Sequence, residues 1–273
     1  MTIRWSLMVL NAAAVAALSL GPAQSVALAQ TSALATRSES AVGLSASRYE
    51  YTERGIMSLN AMKIGVDLDS TFAFRGDWPD DKQVWFAGVH VRYAAGAADY
   101  SSPSSGSQSN TPDWYYSVKG VFGGDIPQGN YVLAPFVGLG YRYHFNDLRG
   151  LTTTGAAGYR RESIYTTVSL GVTHRMALAD QSLLVTTLEF SHLLEGTQKV
   201  KRSDLSSLLR DVTLKQRQGY GLRLNMMRRF AHWSIGPTID YWSIADSDSG
   251  GSPAIYEPKN HTMEIGIKAM RYF

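Results

Sequence analysis

The fold is decided by the run that closes the sequence, Met263-Glu-Ile-Gly-Ile-Lys-Ala-Met-Arg-Tyr-Phe273. Apolar residues occupy every second position from Met263 to Ala269 and again at Phe273, with Arg271 as the exception. The positions between them are mostly polar or small. A period of two predicts an amphipathic β-strand that presents one face to an apolar medium and the other to a polar one.

Residues 1–29 have the pattern of a secretory signal. Arg4 precedes an apolar run at 7–20, and Ala-Leu-Ala at 27–29 gives a small-x-small cleavage pattern. The apolar run is about 14 residues long, which is shorter than the roughly 20 residues that a membrane-spanning helix needs. We therefore predict that this segment is removed.

Composition excludes several classes of function. The chain has no cysteine, which rules out disulfide scaffolds, thiolate metal sites, cysteine nucleophiles and a lipoprotein signal. Its net charge is only +3 and no basic stripe is visible, so we expect no nucleic-acid partner. No histidine or carboxylate pattern has metal-ligand spacing, and we expect neither a metal nor a cofactor.

Alternation of the same kind recurs along residues 46–273 and predicts ten strands, although eight or twelve also fit the pattern. Residues 30–45 are small and mostly polar, and we predict that they form a flexible periplasmic lead-in. Pro135 and Pro237 lie inside strands, where a missing N–H predicts a bulge or a poorly paired register. The strands are predicted at about 48–53, 62–75, 83–96, 113–122, 130–145, 159–176, 182–193, 212–228, 232–244 and 261–273.

The signal, the alternating strands and the final Phe273 together resemble Gram-negative outer-membrane β-barrels. The resemblance implies an all-β fold, a closed antiparallel up-and-down transmembrane barrel, because lipid cannot satisfy an open sheet edge. It also implies location in the outer membrane, a monomer surrounded by lipid and lipopolysaccharide, and recognition of the C-terminal strand, with Phe273 as its terminal aromatic, by the barrel-assembly machinery. Outward-parity aromatics near strand ends are typical of the girdles of such barrels: Trp85, Tyr93, Tyr116, Tyr131, Tyr141, Tyr143, Trp233 and Tyr241.

The inward parity collects charged residues. A ten-stranded interior is only slightly wider than one that side chains fill, so we expect these charges to interlock as a plug. The alternative is a narrow, water-filled pore with a slight preference for anions. The predicted lumen charge network comprises Lys63, Asp67, Asp69, Arg92, Lys119, Arg142, Glu189, Arg217, Arg223, Asp240, Glu264 and Lys268; Lys215, His90 and His144 share the parity.

The spacing of the candidate residues fits no known catalytic site, and we expect no catalytic residue. In length and strand number the chain resembles the omptin proteases, whose site pairs two aspartates with an Asp/His couple. Asp67-Leu-Asp69 could supply the first pair, but the sequence has no Asp-x-His to match the second. A lipid A deacylase needs a His/Ser pair, and neighbours such as Ser191 and His192 point to opposite faces of a strand. His174, His192 and His261 are predicted at the rim.

The predicted outer loops leave a binding role open. Gln198-Lys-Val-Lys-Arg202, Arg210 and Arg160-Arg161 are basic, and we expect them to contact lipopolysaccharide phosphates or to form a ligand-binding surface. Residues 205–209 are predicted as a short helix over the mouth. The sequence thus favours a non-enzymatic, envelope-structural or surface-interaction protein with a charge-plugged lumen, with a porin-like channel and a rim-sited hydrolase as alternatives.

Overall fold

The structure, a computed structural model, describes residues 34–75 and 84–273, so the predicted signal at 1–29 lies outside the described residues. Within these residues ten antiparallel strands form the wall of a barrel. A short strand, Ile126–Gln128, continues the fourth of them after a break at Asp125. The strands are β1 (Glu39–Glu53), β2 (Met57–Arg75), β3 (Val84–Ser102), β4 (Gly106–Gly124), β5 (Tyr131–Leu151), β6 (Ala157–Ala177), β7 (Leu183–Val200), β8 (Val212–Gln216 and Gly219–Arg229), β9 (Trp233–Ile244) and β10 (Asn260–Tyr272).

Pairing of the first and last strands closes the sheet. β1 and β10 pair from Ala41↔Tyr272 to Glu53↔Asn260, and both segments of β8 pair with β7. The backbone of Phe273 adds two hydrogen bonds to Ser40, at 3.0 and 3.1 Å. The prediction of a closed antiparallel barrel of ten strands is confirmed.

The outside of the barrel is apolar and the inside is polar. Along β2 the outward Ile64 is 64% exposed, whereas its inward neighbour Lys63 is fully buried. The same alternation runs along β1, where Val42 and Leu44 face outward and Ser45 faces the lumen. An apolar surface that continues around the whole sheet requires an apolar solvent, which is the acyl-chain region of a bilayer.

Aromatic side chains border this apolar surface at two levels. Trp85 stacks on Phe122 near the end that holds the start of β1, and Tyr93 contacts Trp114 eight residues further along β3. Eight residues advance about 26 Å along a strand, or about 20 Å along the axis of a barrel with tilted strands, close to the height of a lipid-facing band. The two levels therefore fit the two interfaces of a bilayer.

We orient the barrel with the start of β1 in the periplasm, because the two longest described connections, 201–211 and 245–259, lie at the opposite end. The predicted strand ends leave outer connections at 97–112 and 146–158, and both are wrong because the strands are longer. β3 and β4 continue to a turn at 103–105, and β5 and β6 continue to a turn at 152–156. These outer extensions are mostly polar, apart from Ala98, Tyr100 and Leu148 in an apolar cluster on the inner face, so apolar alternation did not mark them as strands.

The lead-in prediction is wrong for residues 39–45, which lie in β1. Small residues are needed here because the lumen wall is crowded: a Cβ on Gly43 would overlap Met270, and Ser45 lies against Asp67. The small, polar composition that suggested a flexible lead-in reflects close packing inside the barrel.

A β-bulge at Leu194 changes which residues face inward. The β6–β7 register passes from Thr167↔Leu193 to Thr166↔Glu195, so one extra residue lies in β7. β8 is interrupted at the same level, between Gln216 and Gly219. In β7 and β8 the residues that face the lumen are therefore odd-numbered on the periplasmic side of this level and even-numbered on its outer side.

The two interior prolines lie where a ladder breaks on one side. Pairing of β4 with β5 stops after Gly123↔Phe136 and resumes beyond Pro135, while Pro135 remains paired with Val172 on its other side. Pairing of β8 with β9 is likewise absent at Pro237, which remains in register with β10. Both positions agree with the missing proline N–H.

The predicted helix at 205–209 is wrong. A single 3-10 turn, Arg202–Asp204, precedes it, and the residues that follow form turns. None of the helical segments in the described residues could cross a membrane.

Candidate functional site

The centre of the lumen is held by an ion cluster around Arg92. Its guanidinium donates to Asp67 at 3.0 Å and to Glu264 at 2.6 Å, which joins β3 to β2 and β10. The hydroxyl of Ser45 donates to Asp67 and that of Ser47 donates to Glu264. Each carboxylate thus has several donors, as a buried charge requires.

A second cluster lies nearer the outer end, around Asp113. Lys63 and Asp113 form an ion pair in which neither side chain is exposed. His144 Nε2 lies 3.0 Å from both Asp113 oxygens, and Asn146 donates to the same carboxylate at 3.1 Å. The Lys63 ammonium also lies 3.9 Å from the centroid of the Tyr49 ring. Lys63 and Asp113 are thus buried inside the barrel, with both charges paired.

Three further pairs lie below the Arg92 cluster, toward the periplasmic end. Lys119 pairs with Glu189, and Arg223 Nε lies 2.5 Å from Asp240. At the third, His90 Nδ1 lies 2.8 Å from Asp69 Oδ1. Lys268 adds a longer contact to Asp67, at 3.4 Å. The lower lumen is therefore charged but largely paired.

A third cluster lies at the outer mouth, where Arg161 meets the β9–β10 connection. Arg161 pairs with Glu53 at 2.8 Å and with Glu257, which folds into the mouth from that connection. The Tyr51 hydroxyl lies within hydrogen-bond distance of both carboxylates, at 2.9 and 2.8 Å. Burial raises the pKa of the Glu257 carboxyl, and the nearby Arg161 charge opposes that shift.

The periplasmic half of the lumen contains a cavity of about 460 Å³. Residues 34–38, which precede β1, lie across its lower end. Leu34 is 1% exposed, and the backbone N–H and hydroxyl of Thr36 donate to Asp125 at 2.5 and 2.7 Å. Arg175 holds the same carboxylate at 3.0 Å and also bonds the Leu34 carbonyl. We call residues 34–38 the N-terminal strap.

The structure brings together all but one of the predicted network residues. Arg217 is the exception, since it is exposed in the interruption of β8, and Lys215 is exposed as well. Both residues were predicted to face the lumen because they share the odd numbering of the inward Arg223. The interruption of β8 changes the inward positions to even numbers. Arg142 faces the lumen but has no carboxylate in ion-pair range among the described residues.

Several residues that face the lumen were not predicted from the sequence. Asp113 and Glu53 lie at the ends of predicted strands, and Arg161 had the correct parity but was assigned to an outer basic surface. Glu257 could not have been found, because a loop residue has no parity. Asp125 was missed because it lies in a predicted connection, where parity does not apply, and its contact with Arg175 joins residues 50 positions apart.

The residues of the catalytic alternatives are not brought together at the outer rim in the described residues. Asp67 and Asp69 pair in register with Gly43 and Ala41, which places them toward the periplasmic end rather than the outer rim. The Ser191 hydroxyl faces the lumen and donates to Glu189, whereas His192 faces outward. Among residues 34–75 and 84–273, no group of three or more histidines or carboxylates could hold a metal ion.

The basic residues of the outer end are mostly paired. Arg160 binds Asp204 through its side chain and its backbone N–H, at 2.7 to 3.0 Å. These hydrogen bonds lower the pKa of the Asp204 carboxyl to about 2. Lys201 lies 3.3 Å from Asp211 and 3.7 Å from Glu162. The remaining basic surface is therefore smaller than the sequence suggested.

Comparison with known proteins gives the fold. The sequence matches no family model and no curated protein. Among solved structures, the outer membrane protease OmpT from Escherichia coli matches with a TM-score of 0.52 and 10% identity, over 86% of this chain and 96% of that chain. This chain has the fold of a Gram-negative outer-membrane β-barrel. Its apolar outer surface and its two aromatic levels place it in the outer membrane.

Two autotransporter barrels match with lower scores. The β-domain of the Bordetella autotransporter BrkA has a TM-score of 0.40 and 15% identity, over 85% of this chain and 98% of that chain. The transport unit of AIDA-I from Escherichia coli has a TM-score of 0.41 and 11% identity, over 91% and 97% of the two chains. At these identities the likeness concerns the fold alone, so any activity must be argued from the residues of this barrel.

Proposed function

We propose that the protein is a non-enzymatic outer-membrane barrel whose lumen is sealed by its own charged side chains and which serves the envelope as a structural or surface-interaction element. The observation that carries this proposal is the Lys63–Asp113 pair, which is fully buried inside the barrel together with His144 and Tyr49. A water path through this level would expose these side chains.

Two further layers support a sealed lumen. The outer mouth is filled by the Arg161 cluster, to which the β9–β10 connection contributes Glu257. The middle is filled by the Arg92 cluster, in which one cation touches two carboxylates. Opening the lumen would separate these ions, and leaving one of them buried without its partner costs about 3–5 kcal/mol.

The surface-interaction part of the proposal rests on the outer extensions of the strands. β5 and β6 are each 21 residues long, whereas about 9–11 residues cross a bilayer. The strands therefore extend well beyond the membrane and present exposed polar turns. Lipopolysaccharide is the expected neighbour of this surface, and the protein is expected to act as a monomer.

Ion conductance in planar bilayers tests the sealed lumen. The unmodified protein is expected to insert without opening steps. Tyr49→Ala/Tyr115→Ala removes two buried rings beside Lys63 and should produce steps, whereas Tyr93→Ala, at an outward ring that is 46% exposed, should not. Conductance steps in the unmodified protein would overturn the proposal in favour of a channel.

Hydrolysis assays test the non-enzymatic part. Purified protein is expected to release no product from peptides or lipid A above the buffer rate. Product release that Asp67→Asn/Asp69→Asn or His192→Ala abolishes, while the barrel still folds, would establish an enzyme instead.

A further inference from the structure

A cleft interrupts the wall of the barrel at its outer end, between β4 and β5. The ladder that joins these strands ends at Asp113↔Asn146, although both strands continue beyond that pair. The strands meet again near their tips, where the Gln108 side-chain amide donates to the Arg149 carbonyl at 3.0 Å. The cleft between these two levels has a volume of about 300 Å³.

A β-bulge flanks the cleft on each side. Between Thr111 and Gln108, β4 has one residue more than β3 opposite, and between Asp147 and Gly150, β5 has one residue more than β6. Asn110 and Gly150 take positive φ angles of 59° and 122° at these bulges. Because a bulge bends its strand and increases the local twist, the backbone on both sides keeps the two strands apart.

The cleft offers hydrogen-bonding groups that no other described residue uses. The Asn110 side-chain amide has no partner within the described chain, and Oε1 of Gln108 remains free because only its amide nitrogen bonds Arg149. Nη1 of Arg149 is also free, since Asp147 engages Nε and Nη2. A set of donors and acceptors on adjacent side chains suits hydroxyl groups, each of which donates and accepts.

The two arginines beside the cleft are already paired. Arg149 is held by Asp147 at 2.7 Å, and Arg160, the neighbour of Asp147 on β6, is held by Asp204 at 2.7 Å. Asp99, at the bulge of β4, adds a further carboxylate. A phosphate group would therefore meet more carboxylates than arginines, so the charges favour an uncharged ligand.

An aromatic surface adjoins the cleft on the outward face. The centroid of the Trp114 ring lies 5.3 Å from that of Phe145 and 5.4 Å from that of Tyr143. Pro112 and Asp147 continue the outward parity two residues further along the same strands, or about 7 Å. Because these rings lie at the outer of the two aromatic levels, the cleft lies just outside the acyl-chain region. In the outer leaflet this layer consists of lipopolysaccharide sugars.

We propose that the cleft between β4 and β5 binds an uncharged segment of the core oligosaccharide of lipopolysaccharide. The C–H face of one sugar packs on Trp114, and hydroxyls of the segment bond Asn110 and Arg149. The inference rests on the surface-interaction part of the proposed function and does not need the sealed lumen. A barrel that fails to bind sugar therefore leaves the conductance result unchanged, and the two failures are distinguishable.

Calorimetric titration of the barrel in detergent tests the site. The probe is core oligosaccharide that has been released from the bacterium's own lipopolysaccharide and dephosphorylated, and the unmodified protein is expected to bind it. Asn110→Gly keeps the positive φ and removes only the amide, so affinity should fall about fivefold. Trp114→Ala removes the stacking surface and should lower affinity about tenfold.

Two matched variants at the periplasmic end serve as controls. Gln181→Gly makes the same kind of change at a φ of 65°, and Trp85→Ala removes an outward ring that is stacked on Phe122. Both should keep the affinity of the parent, and inorganic phosphate at constant ionic strength should not displace the oligosaccharide. Absence of binding to the unmodified protein, equal losses in site and control variants, or displacement by phosphate would overturn the proposal.

Labelling in vesicles tests whether membrane-bound lipopolysaccharide is the source of the sugar. Because the chain has no cysteine, Pro112→Cys provides a single label in the cleft. Complete lipopolysaccharide should slow its reaction with maleimide about tenfold, relative to lipopolysaccharide without core sugars, once the sugar reaches about ten times its dissociation constant. Leu208→Cys, at a side chain that is 92% exposed in the connection at 201–211, should be slowed much less. Equal slowing at both positions would show general shielding by the sugar layer and contradict the site.

Discussion

Arg92 on β3 and Glu264 on β10 are joined inside the lumen at 2.6 Å, across the two strands that separate them in the wall. Such a contact ties non-adjacent strands together, which the backbone ladder cannot do. Because the guanidinium also holds Asp67, the three strands β2, β3 and β10 share one buried cluster.

Removing one partner of this cluster should destabilise the barrel. Glu264→Gln leaves Arg92 buried with one carboxylate fewer, and we expect a loss of about 3 kcal/mol in the free energy of unfolding. Urea unfolding in lipid vesicles, followed by tryptophan fluorescence, measures it. Asp147→Asn breaks the pair with Arg149, whose side chain is 54% exposed, and should cause no resolvable change. Equal losses in the two variants would contradict the role of the cluster.

Glycines inside and outside the barrel should differ in their tolerance of a methyl group. A Cβ on the inward Gly171 would overlap the Phe136 ring, whereas a Cβ on Gly120 meets no atom within 4 Å. Overpacking typically costs about 1–3 kcal/mol, so Gly171→Ala should unfold at a lower urea concentration than the parent. Gly120→Ala should stay within about 0.5 kcal/mol of the parent. A tolerated Gly171→Ala would show that Phe136 moves freely.

The connection at 201–211 should become less protected from exchange and cleavage in acid. The pKa of Asp204 is about 2 in the folded protein and its ordinary value is 3.8, so its bonds to Arg160 stabilise the fold above about pH 4. This contribution is lost as pH falls from about 4 to about 2, because the folded form must then take up a proton. Hydrogen exchange and pepsin cleavage of residues 201–211 should rise over that interval, and Asp204→Asn should already show the raised values at pH 5. Unchanged protection down to pH 2 would exclude the Asp204 clamp.

The N-terminal strap should control access to the lower cavity. Asp125 holds Thr36 and Arg175, so Asp125→Asn weakens two charge-assisted contacts that are each worth about 1.5–3 kcal/mol. Because the chain has no cysteine, Thr187→Cys provides a single label in this cavity. Asp125→Asn should raise the rate of maleimide labelling about tenfold or more.

The control for the strap experiment is Asp180→Asn. Asp180 lies in the periplasmic turn between β6 and β7 and pairs with Arg228, without contact to the strap. It should leave the labelling rate of Thr187→Cys unchanged. A similar acceleration in both variants would show that the periplasmic turns, rather than the strap, limit access.

The sequence was sufficient to predict the strands, because lipid imposes a period of two wherever a strand crosses the bilayer. Ile64 and Lys63 illustrate this, since adjacent residues experience acyl chains and the lumen. Above the bilayer the constraint disappears. The extensions that end at Ser102 and Leu151 are held by the ladder and by local side-chain contacts, such as the hydrogen bond from Ser102 to the Ile56 carbonyl. Most of their residues are polar and carry no apolar signal.

The charged residues of the lumen could be predicted from the alternation along each strand, but the ion pairs that they form could not. Arg217 shows the limit, because it lies in the interruption of β8 between Gln216 and Gly219, where the inward positions change from odd to even numbers. Glu257 reaches the Arg161 cluster from a loop, through a contact between residues 96 positions apart. Such contacts depend on the closed barrel and arise only after the strands have been arranged.

The most direct test of the sealed outer lumen is the sidedness of labelling at Thr187→Cys. Intact cells that carry this variant in the outer membrane are treated with a membrane-impermeant maleimide, and parallel cells are treated after the periplasm has been made accessible. A lumen that is closed at the Lys63–Asp113 level and open below it predicts labelling only from the periplasmic side. Equal labelling in intact cells would show a continuous path through the barrel and contradict the account.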